Sequence, residues 1–435
     1  MCLPRLRRLC SSSPNKLLSL HDRGLLQSVF PEGSIPELSR QLSKVCTMYC
    51  GFDPTADSLH VGNLLALIAL IHGQRLGHNS IAVIGGATAL IGDPSGKTEE
   101  RAPMSAAEVE NNVMQITENI ERVLDNYMVL NNMDWYMEKN IIEFLSTVGR
   151  HFRMGNMLSR HSVQSRINSP QGMSFTEFTY QIFQGYDWLH LHRTHRCTIQ
   201  IGGNDQLGNI TAGYELVTKF TKDPIFGLTV PLITTTRGDK LGKTSGNAVW
   251  LDAKKTSSFE LYQYFINVSD ADVEKYLQLF TFLPLPEISS IMSKHLANPE
   301  KRTAQKTLAE QVTVLVHGAN GLDAAQRCTR AFFEESIEAI NSLQPMELEQ
   351  LFRQAPVKEL FLDPGMTILE VCMKAGCFGR TVDAERIIRA GGVRLNHQRL
   401  NEPNFVLRPG EHVLSNNISL IRVGKKNYYI VKWCR

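Results

Sequence analysis

The sequence predicts an α/β chain: a parallel-sheet domain first, a helical region next, and a small basic α+β module last. Three observations lead there. Residues 44–84 read as strand, helix and strand in succession. From about 259 to 351 the apolar pattern turns helical, broken at Pro284 and Pro286. Residues 366–435 hold 12 Lys+Arg against 5 Asp+Glu, whereas the whole chain of 435 residues holds 46 against 43. Strands joined through a crossover helix lie parallel, so the sheet is Rossmann-like and its site belongs at the strands' carboxyl ends.

Each element has its own signal. Residues 44–51 (KVCTMYCG) are short, β-prone and followed by the turn-forming Asp53-Pro54. Ser58 is the expected N-cap of a helix over 59–76, where Val61, Leu64, Leu65, Ile68 and Ile71 recur at helical spacing and Gly77 ends the run. Residues 79–84 (NSIAVI) form the next strand, and 85–96 (GGATALIGDPSG) a glycine-rich loop. A mixed-charge helix is expected over 105–127, and strands over 195–201 (HRCTIQI) and 229–234 (TVPLIT). The turn 362–365 (LDPG) reads as a linker, and within the basic module 383–390 is a short helix, Gly391-Gly392 a tight turn and 393–396 a strand. The divisions drawn are a leader over 1–34, a sheet domain over 35–270, a helical domain over 271–361 and the basic module over 366–435.

Composition narrows the class. At 43% hydrophobic and 20% charged the chain can build sizeable cores. Its longest apolar run is the eight residues 64–71, well short of the roughly 20 that a membrane span needs. Nine scattered cysteines with no CxxC pair suggest neither a disulfide framework nor a zinc site, and no metal ligand set is assigned. The first 20 residues carry Arg5, Arg7, Arg8 and Lys16 with no acid, among leucines and serines, the composition of an organelle transit peptide. A basic end on an otherwise acidic chain points to a polyanionic partner.

Two constellations carry chemistry. In YCGFDPTADSLHVGN, residues 49–63, His60 opens a helix directly after a strand, where free backbone N–H groups and the positive helix end favour a phosphate. Gly62 leaves room for a nucleotide's ring or sugar. In GDKLGKT, residues 238–244, Lys240 and Lys243 flank a glycine and supply positive charge that can close on a departing pyrophosphate. Neither GxxxxGK[ST] nor GxGxxG occurs, which excludes an ordinary P-loop or dinucleotide enzyme.

Together these segments resemble the signature motifs of class I aminoacyl-tRNA synthetases. The ordered blocks YCGFDPTADSLHVGN, GGATALIGDPSGKTEER, SFTEFTYQIFQGYD, QIGGNDQLGNITAGYE and KLGKT are similar to the tyrosyl-tRNA synthetase family, and with the leader to its mitochondrial branch. The resemblance implies that Tyr49 and Asp187 read the substrate phenol, a pair that phenylalanine would leave unsatisfied. It implies that Asp93, Tyr180 and Gln184 surround the α-ammonium, and that Gln206 and Gln200 lie near the carboxylate. Tyr180, Gln184 and Asp187 share one face if their segment is helical. On the ATP side it implies Asp53, Gly62, Asn63, Gly203 and Asp205, the last on the ribose hydroxyls. Thr55 and His60 meet the γ-phosphate, and Lys97, Arg101, Lys240, Lys243 and Thr244 the pyrophosphate. Two departures stand out: Asn63 where the motif has its second histidine, and Leu241-Gly242 between the lysines. Neither removes a charge.

The final segment resembles a small RNA-binding module shared with a ribosomal protein, which implies RNA contacts for Arg386, Arg389, Arg394 and Arg399. Expected partners are ATP and L-tyrosine as substrates, tRNA(Tyr), Mg2+ carried with the triphosphate, and a second copy of the chain; no organic cofactor and no membrane are expected. The expected place of work is the mitochondrial matrix. Three other readings stay open: tryptophanyl-tRNA synthetase, a non-catalytic RNA-binding or splicing helper, and a small-molecule nucleotidyltransferase. Paired tyrosine and tryptophan exchange assays separate the first, and RNA binding without exchange marks the second. The third gives no reason for the helical and basic regions.

Overall fold

The computed structural model describes residues 19–97, 99–124, 128–233, 243–244, 247–333, 343, 347, 355–424 and 427–434. It contains two compact units: 1–255 with 268–308, and 256–267 with 309–435. These cut the chain differently from the sequence divisions at 270 and 361, because the Ser258–Ile266 helix joins the second unit and the helices from Val273 to Ala297 join the first.

The first unit is built on a six-stranded sheet. Its strands are β1 (Ser28–Phe30), β2 (Thr47–Phe52), β3 (Asn79–Ile84), β4 (Met128–Asn131), β5 (Cys197–Gly203) and β6 (Phe226–Val230), in spatial order β1-β6-β5-β2-β3-β4. All neighbours run parallel except β1, which pairs antiparallel with β6. From β2 the chain goes out to one side through β3 and β4 and returns on the other with β5. The crevice beside the end of β2 is therefore the topological switch point, where parallel sheets bind ligands. The strand expected over 229–234 lies earlier, at Phe226–Val230, and β1 and β4 were not foreseen.

Buried Met48, Tyr49, Ile81, Val83, Ile199 and Ile201 stock the middle of the sheet. The Val61–Arg75 helix crosses from β2 to β3 and buries Leu64, Leu67, Ile68 and Leu70. Its N-cap is His60, not Ser58: the His60 Nδ1 accepts from Gly62 N at 3.0 Å and Asn63 Oδ1 accepts from His60 N at 3.1 Å. Ser58 instead donates to Asn119 Oδ1 at 2.7 Å, tying the loop before the helix to the Ala106–Val123 helix. That second helix starts from a capping box of Ser105 and Glu108.

Within the region expected as leader, residues from Ser19 onward are folded. Leu20, Leu25 and Leu26 are buried, and the Arg23 guanidinium donates to the carbonyls of Gln278, Thr281 and Leu283 at 3.0, 2.6 and 2.6 Å. These carbonyls close the Val273–Phe280 helix, a position that favours a cation. Burial lowers the Arg23 pKa from its usual value.

The second unit carries a five-stranded sheet, after the short ladder of β7 (Lys243–Thr244) and β8 (Asn247–Ala248) in the first. Its strands are β9 (Val357–Phe361), β10 (Val393–Leu395), β11 (Gln398–Leu400), β12 (Ile418–Val423) and β13 (Asn427–Cys434), ordered β11-β10-β12-β13-β9. One core gathers Ile368, Val371, Ile388, Val393 and Ile421 beneath the helices Ile368–Lys374 and Thr381–Arg389. The other holds Phe259, Cys328 and Phe332 against Leu420, Tyr428 and Ile430. The Thr381–Arg389 helix begins two residues before the expected start, with Arg380 at its N-cap and its Nε on Asp383 at 3.1 Å. Among the described residues no helix is long and apolar enough to cross a membrane.

Candidate active site

The site grows from strand ends. Tyr49 stands on β2 with its ring buried 6.3 Å from Trp188, and its hydroxyl has no hydrogen-bond partner among the described residues. Burial, then the nearby Asp187 carboxylate, push the Tyr49 phenol well above its ordinary pKa, so it is a donor in waiting. Asp187 lies on the long Phe175–His195 helix, which starts at an N-cap Ser174 accepting from Glu177 N at 3.2 Å. Its Oδ1 accepts from Trp135 Nε1 at 2.9 Å and Tyr136 OH at 2.8 Å, and its Oδ2 from Asn132 Nδ2 at 3.1 Å. A carboxylate has about four lone-pair sites, so one remains for a ligand donor.

Asn132, Trp135 and Tyr136 are site residues that the sequence did not reveal. They follow β4, whose end lies beside β3, and their segment NNMDWY carries no motif spacing. Asn132 is fully buried and makes three bonds: its Oδ1 accepts from Ala87 N at 2.7 Å, and its Nδ2 donates to Asp187 and to Thr88 Oγ1 at 3.1 Å. Thr88 in turn donates to Asp53 Oδ1 at 2.7 Å. One hydrogen-bonded path therefore runs from Asp53 to Asp187.

Asp53 forms the other end of that path. Its Oδ2 accepts from Tyr180 OH at 2.8 Å, and a methyl on Gly85 would collide with its Oδ1, which is why glycine follows β3. Burial, followed by repulsion from Asp93, pushes Asp53 up to about 6; burial pushes Asp187 up to about 7 against the pull of its three donors. Asp93 is held by Ser95 N at 3.0 Å, Gln206 Nε2 at 2.7 Å and Asn209 Nδ2 at 3.2 Å. Asn209, buried in the Leu207–Val217 helix, is a further member missed from sequence. Tyr180 thus touches Asp53, a residue expected on the ATP side, while Gln184 is half-buried one turn further along the same face. Gln200 on β5 keeps a buried Oε1 without a partner among the described residues.

The remaining residues border the opening. Thr55 is exposed in the loop between β2 and its helix, whose N-terminus is capped by His60 and Asn63, with Gly62 in the first turn. Asn63 is thus a capping residue, which explains how it replaces a histidine without loss of local structure. Gly203 ends β5, and Asp205 sits in the Asn204–Gln206 turn facing Gly96. Lys97 follows Gly96 and is half-buried; Arg101 packs beside Gly92 and draws the Asp53 pKa down. Lys240 lies outside the described residues. Of Lys243 and Thr244 the backbone is described, forming β7. Beyond that ladder the chain pairs with the first motif: Val61 N donates to Val249 O at 2.9 Å and Leu251 N to Leu59 O at 2.8 Å, with the Trp250 and His60 rings 6.4 Å apart. Lys255 lies 4.9 Å over the Trp250 ring and pairs with Asp57.

In the second unit Arg386 and Arg389 are exposed on the Thr381–Arg389 helix, and Arg394 is half-buried on β10 opposite Arg399 of β11. The Arg399 guanidinium donates to the carbonyls of Gly391 and Ala390 at 2.9 and 3.0 Å. It therefore closes the C-terminal end of that helix, a structural duty beside the RNA contact expected of it.

A parallel sheet with carboxylates gathered at its switch point and a helix N-terminus alongside is the arrangement in which α/β enzymes hold small ligands, nucleotides among them. Residues 41–334 match the family of tRNA synthetases class I (W and Y), and 371–413 match the S4 domain. The chain belongs to that synthetase family. It is 50% identical over 440 residues to the mitochondrial tyrosine–tRNA ligase of Drosophila melanogaster, covering 97% of this chain and 95% of the relative. The mitochondrial tyrosine–tRNA ligase of Homo sapiens is 49% identical over 447 residues, with 98% and 94% covered. A C-terminally truncated mitochondrial tyrosyl-tRNA synthetase from Aspergillus nidulans matches with a TM-score of 0.67 at 34% identity, covering 73% of this chain and 94% of that one. Within the class, its kin are the tyrosine–tRNA ligases.

Proposed function

We propose that the chain activates L-tyrosine with ATP to tyrosyl-adenylate and pyrophosphate, then transfers tyrosine to the 3'-terminal adenosine of mitochondrial tRNA(Tyr) in the matrix. The observation that carries this reading is the buried Tyr49 hydroxyl beside an Asp187 carboxylate with one acceptor site to spare. A substrate phenol would donate to Asp187 and accept from Tyr49, whereas a phenylalanine ring would leave both unsatisfied, at about 1–3 kcal/mol for each group. Tyrosyl-tRNA synthetases are the well-known case of rejecting phenylalanine through such hydrogen bonds, so this selectivity belongs to the family at large.

Asp93, Tyr180 and Gln184 give the α-ammonium its countercharge and hydrogen-bond partners, with Asp53 adding negative charge through its bond to Tyr180, and Gln200 and Gln206 are proposed to meet the carboxylate. The tyrosine carboxylate attacks the α-phosphorus in line, and pyrophosphate leaves toward Thr55, His60, Lys97, Arg101, Lys240, Lys243 and Thr244. None of these is a nucleophile; they position the reactants and offset charge that builds in the transition state. Asp205 receives the ribose hydroxyls beside Gly203. Among the described residues no three His, Cys, Asp or Glu side chains gather as a metal cage would require. Mg2+ is proposed to arrive on the triphosphate oxygens.

In the second step the terminal hydroxyl of tRNA attacks the mixed anhydride and AMP leaves. The helical region over 271–361 is proposed to bind the anticodon, with Arg386, Arg389, Arg394 and the basic module on RNA phosphates. A homodimer is supported by exposed apolar side chains clustered in sequence: Met137, Ile141, Ile142, Leu145, Met154 and Phe175. The decisive experiment is tyrosine-dependent pyrophosphate exchange followed by charging of mitochondrial tRNA. Binding of ATP and tyrosine without any exchange would overturn the proposal.

A further inference from the structure

In the second unit two thiols that the reaction does not use are held against each other. Cys372 lies within the Ile368–Lys374 helix and Cys377 just beyond it. The helix ends in a Schellman turn: Cys377 N donates to Cys372 O at 2.9 Å, Gly376 N donates to Met373 O at 3.1 Å, and Gly376 has φ +74°. Such a turn brings together the side chains at its first and last positions, normally two apolar groups. In this chain both are cysteines, and both side chains enter the same core cluster, close enough that Cys377 raises the Cys372 pKa. Both are buried in one core cluster, Cys372 fully and Cys377 at 8% exposure.

We propose that Cys372 and Cys377 form a reversible intramolecular disulfide by exchange with a small-molecule disulfide such as oxidised glutathione. A disulfide needs Cα atoms roughly 4.4–6.8 Å apart, and a turn closed by its own 6→1 hydrogen bond already folds the chain back on itself. Cys377, the less buried, gives its proton to solvent, and its thiolate attacks one sulfur of glutathione disulfide. One glutathione leaves as thiolate and is protonated. Cys372, deprotonated in turn, attacks the Cys377 sulfur of the mixed disulfide and expels the second glutathione. Two protein thiols are oxidised and one glutathione disulfide is reduced to two thiols. Its neighbour Cys377 and then burial hold Cys372 in its thiol form, so closure is slow. Its equilibrium, set by the preformed turn, is the property that identifies the site. Closure fastens the turn that leads into the helix bearing Arg386 and Arg389.

The test equilibrates the full chain with mixtures of reduced and oxidised glutathione, traps thiols by acid and alkylation, and maps peptides by mass spectrometry. The expected result is a 372–377 disulfide that opens and closes reversibly, with closure at least about tenfold more favourable in the folded chain than in urea. The C377S variant keeps the fold and yields no internal disulfide at Cys372. Two results would overturn the proposal: a closing equilibrium no better folded than unfolded, or a pair still reduced when the more exposed Cys434 is already glutathionylated.

Discussion

The end of the crevice proposed to take the phenol and the end proposed to take the phosphates are built on opposite plans. Around Asp187 the groups are bonded to one another before any ligand arrives, through buried Asn132, Trp135 and Thr88 and half-buried Tyr136. Thr55 by contrast is exposed, and the fixed parts around it are backbone: a capped helix N-terminus and two main-chain bonds from 59–61 to 249–251. The contrast teaches where rigidity is useful. Recognition of a small neutral hydroxyl relies on unsatisfiable partners that cannot relax, whereas a triphosphate is met by charge, which tolerates looser placement.

The sharpest way to break this contrast is Asp187→Asn. An amide there can keep its oxygen on Trp135 and Tyr136 only by turning its NH2 toward Asn132 Nδ2, itself a donor, and it offers the substrate phenol no carboxylate acceptor, so tyrosine activation should fall by about a thousandfold in kcat/KM, with a raised KM. A small effect in exchange kinetics would mean that the phenol is read elsewhere. Next is Lys243→Ala, which should slow adenylate formation by about a hundredfold while tyrosine affinity, measured at equilibrium, changes little. Comparable losses in both would erase the division of labour. Asn132→Ala removes three buried bonds and should lower stability by about 2–3 kcal/mol and raise the tyrosine KM several-fold, read by denaturant titration and exchange kinetics.

pH sharpens the comparison further. Asp53 and Asp187 have raised pKa values, about 6 and 7, so the folded state holds protons there that the unfolded chain releases near pH 4. Their contribution to stability is therefore fully present below about pH 4 and is lost as pH rises through 6 and 7. Tyrosine binding runs the other way, since the ammonium is proposed to need Asp53 charged and the phenol to need Asp187 as an acceptor, and its affinity should decline as pH falls from 8 to 5. Thermal melts with and without tyrosine check this. Asp53→Asn serves as reference, because half-buried His72, pushed down to about 3 chiefly by desolvation, pulls empty-protein stability in the opposite direction. The smallest effect is expected far from the crevice: Arg386→Ala with Arg389→Ala should raise the tRNA KM by several-fold, with a shallower salt dependence, and leave exchange unchanged.

Much of the crevice was legible because its residues lie in short blocks with unusual composition. Asp93, Asp205 and Gln206 sit in glycine-rich loops, and polar Tyr180, Gln184 and Asp187 recur at helical spacing among aromatics. The strand Asn79–Ile84 was readable to the residue, being apolar and bounded by Gly77 and Gly85. What escaped depends on tertiary neighbours. Asn132 and Trp135 acquire their role only because β4 lies beside β3, and Asn209 because its helix turns toward the Asp93 loop. A signal existed: MVLNN is a brief apolar run ending in two asparagines, the form of a strand whose polar end reaches a site. Arg399 carries a duty that its neighbours concealed, since a basic residue among arginines proposed to meet RNA can also close a helix end.

The paired main-chain bonds between 59–61 and 249–251 have a practical consequence for anyone rebuilding this scaffold. Stretches separated by nearly the whole sheet domain are stitched at one seam, so His60 inherits any displacement of the strand-like piece carrying Trp250. Any redesign of the lysine segment ahead of the seam has to keep those two bonds. Cutting into 249–251 would instead unfasten the helix end on which the γ-phosphate is proposed to rest.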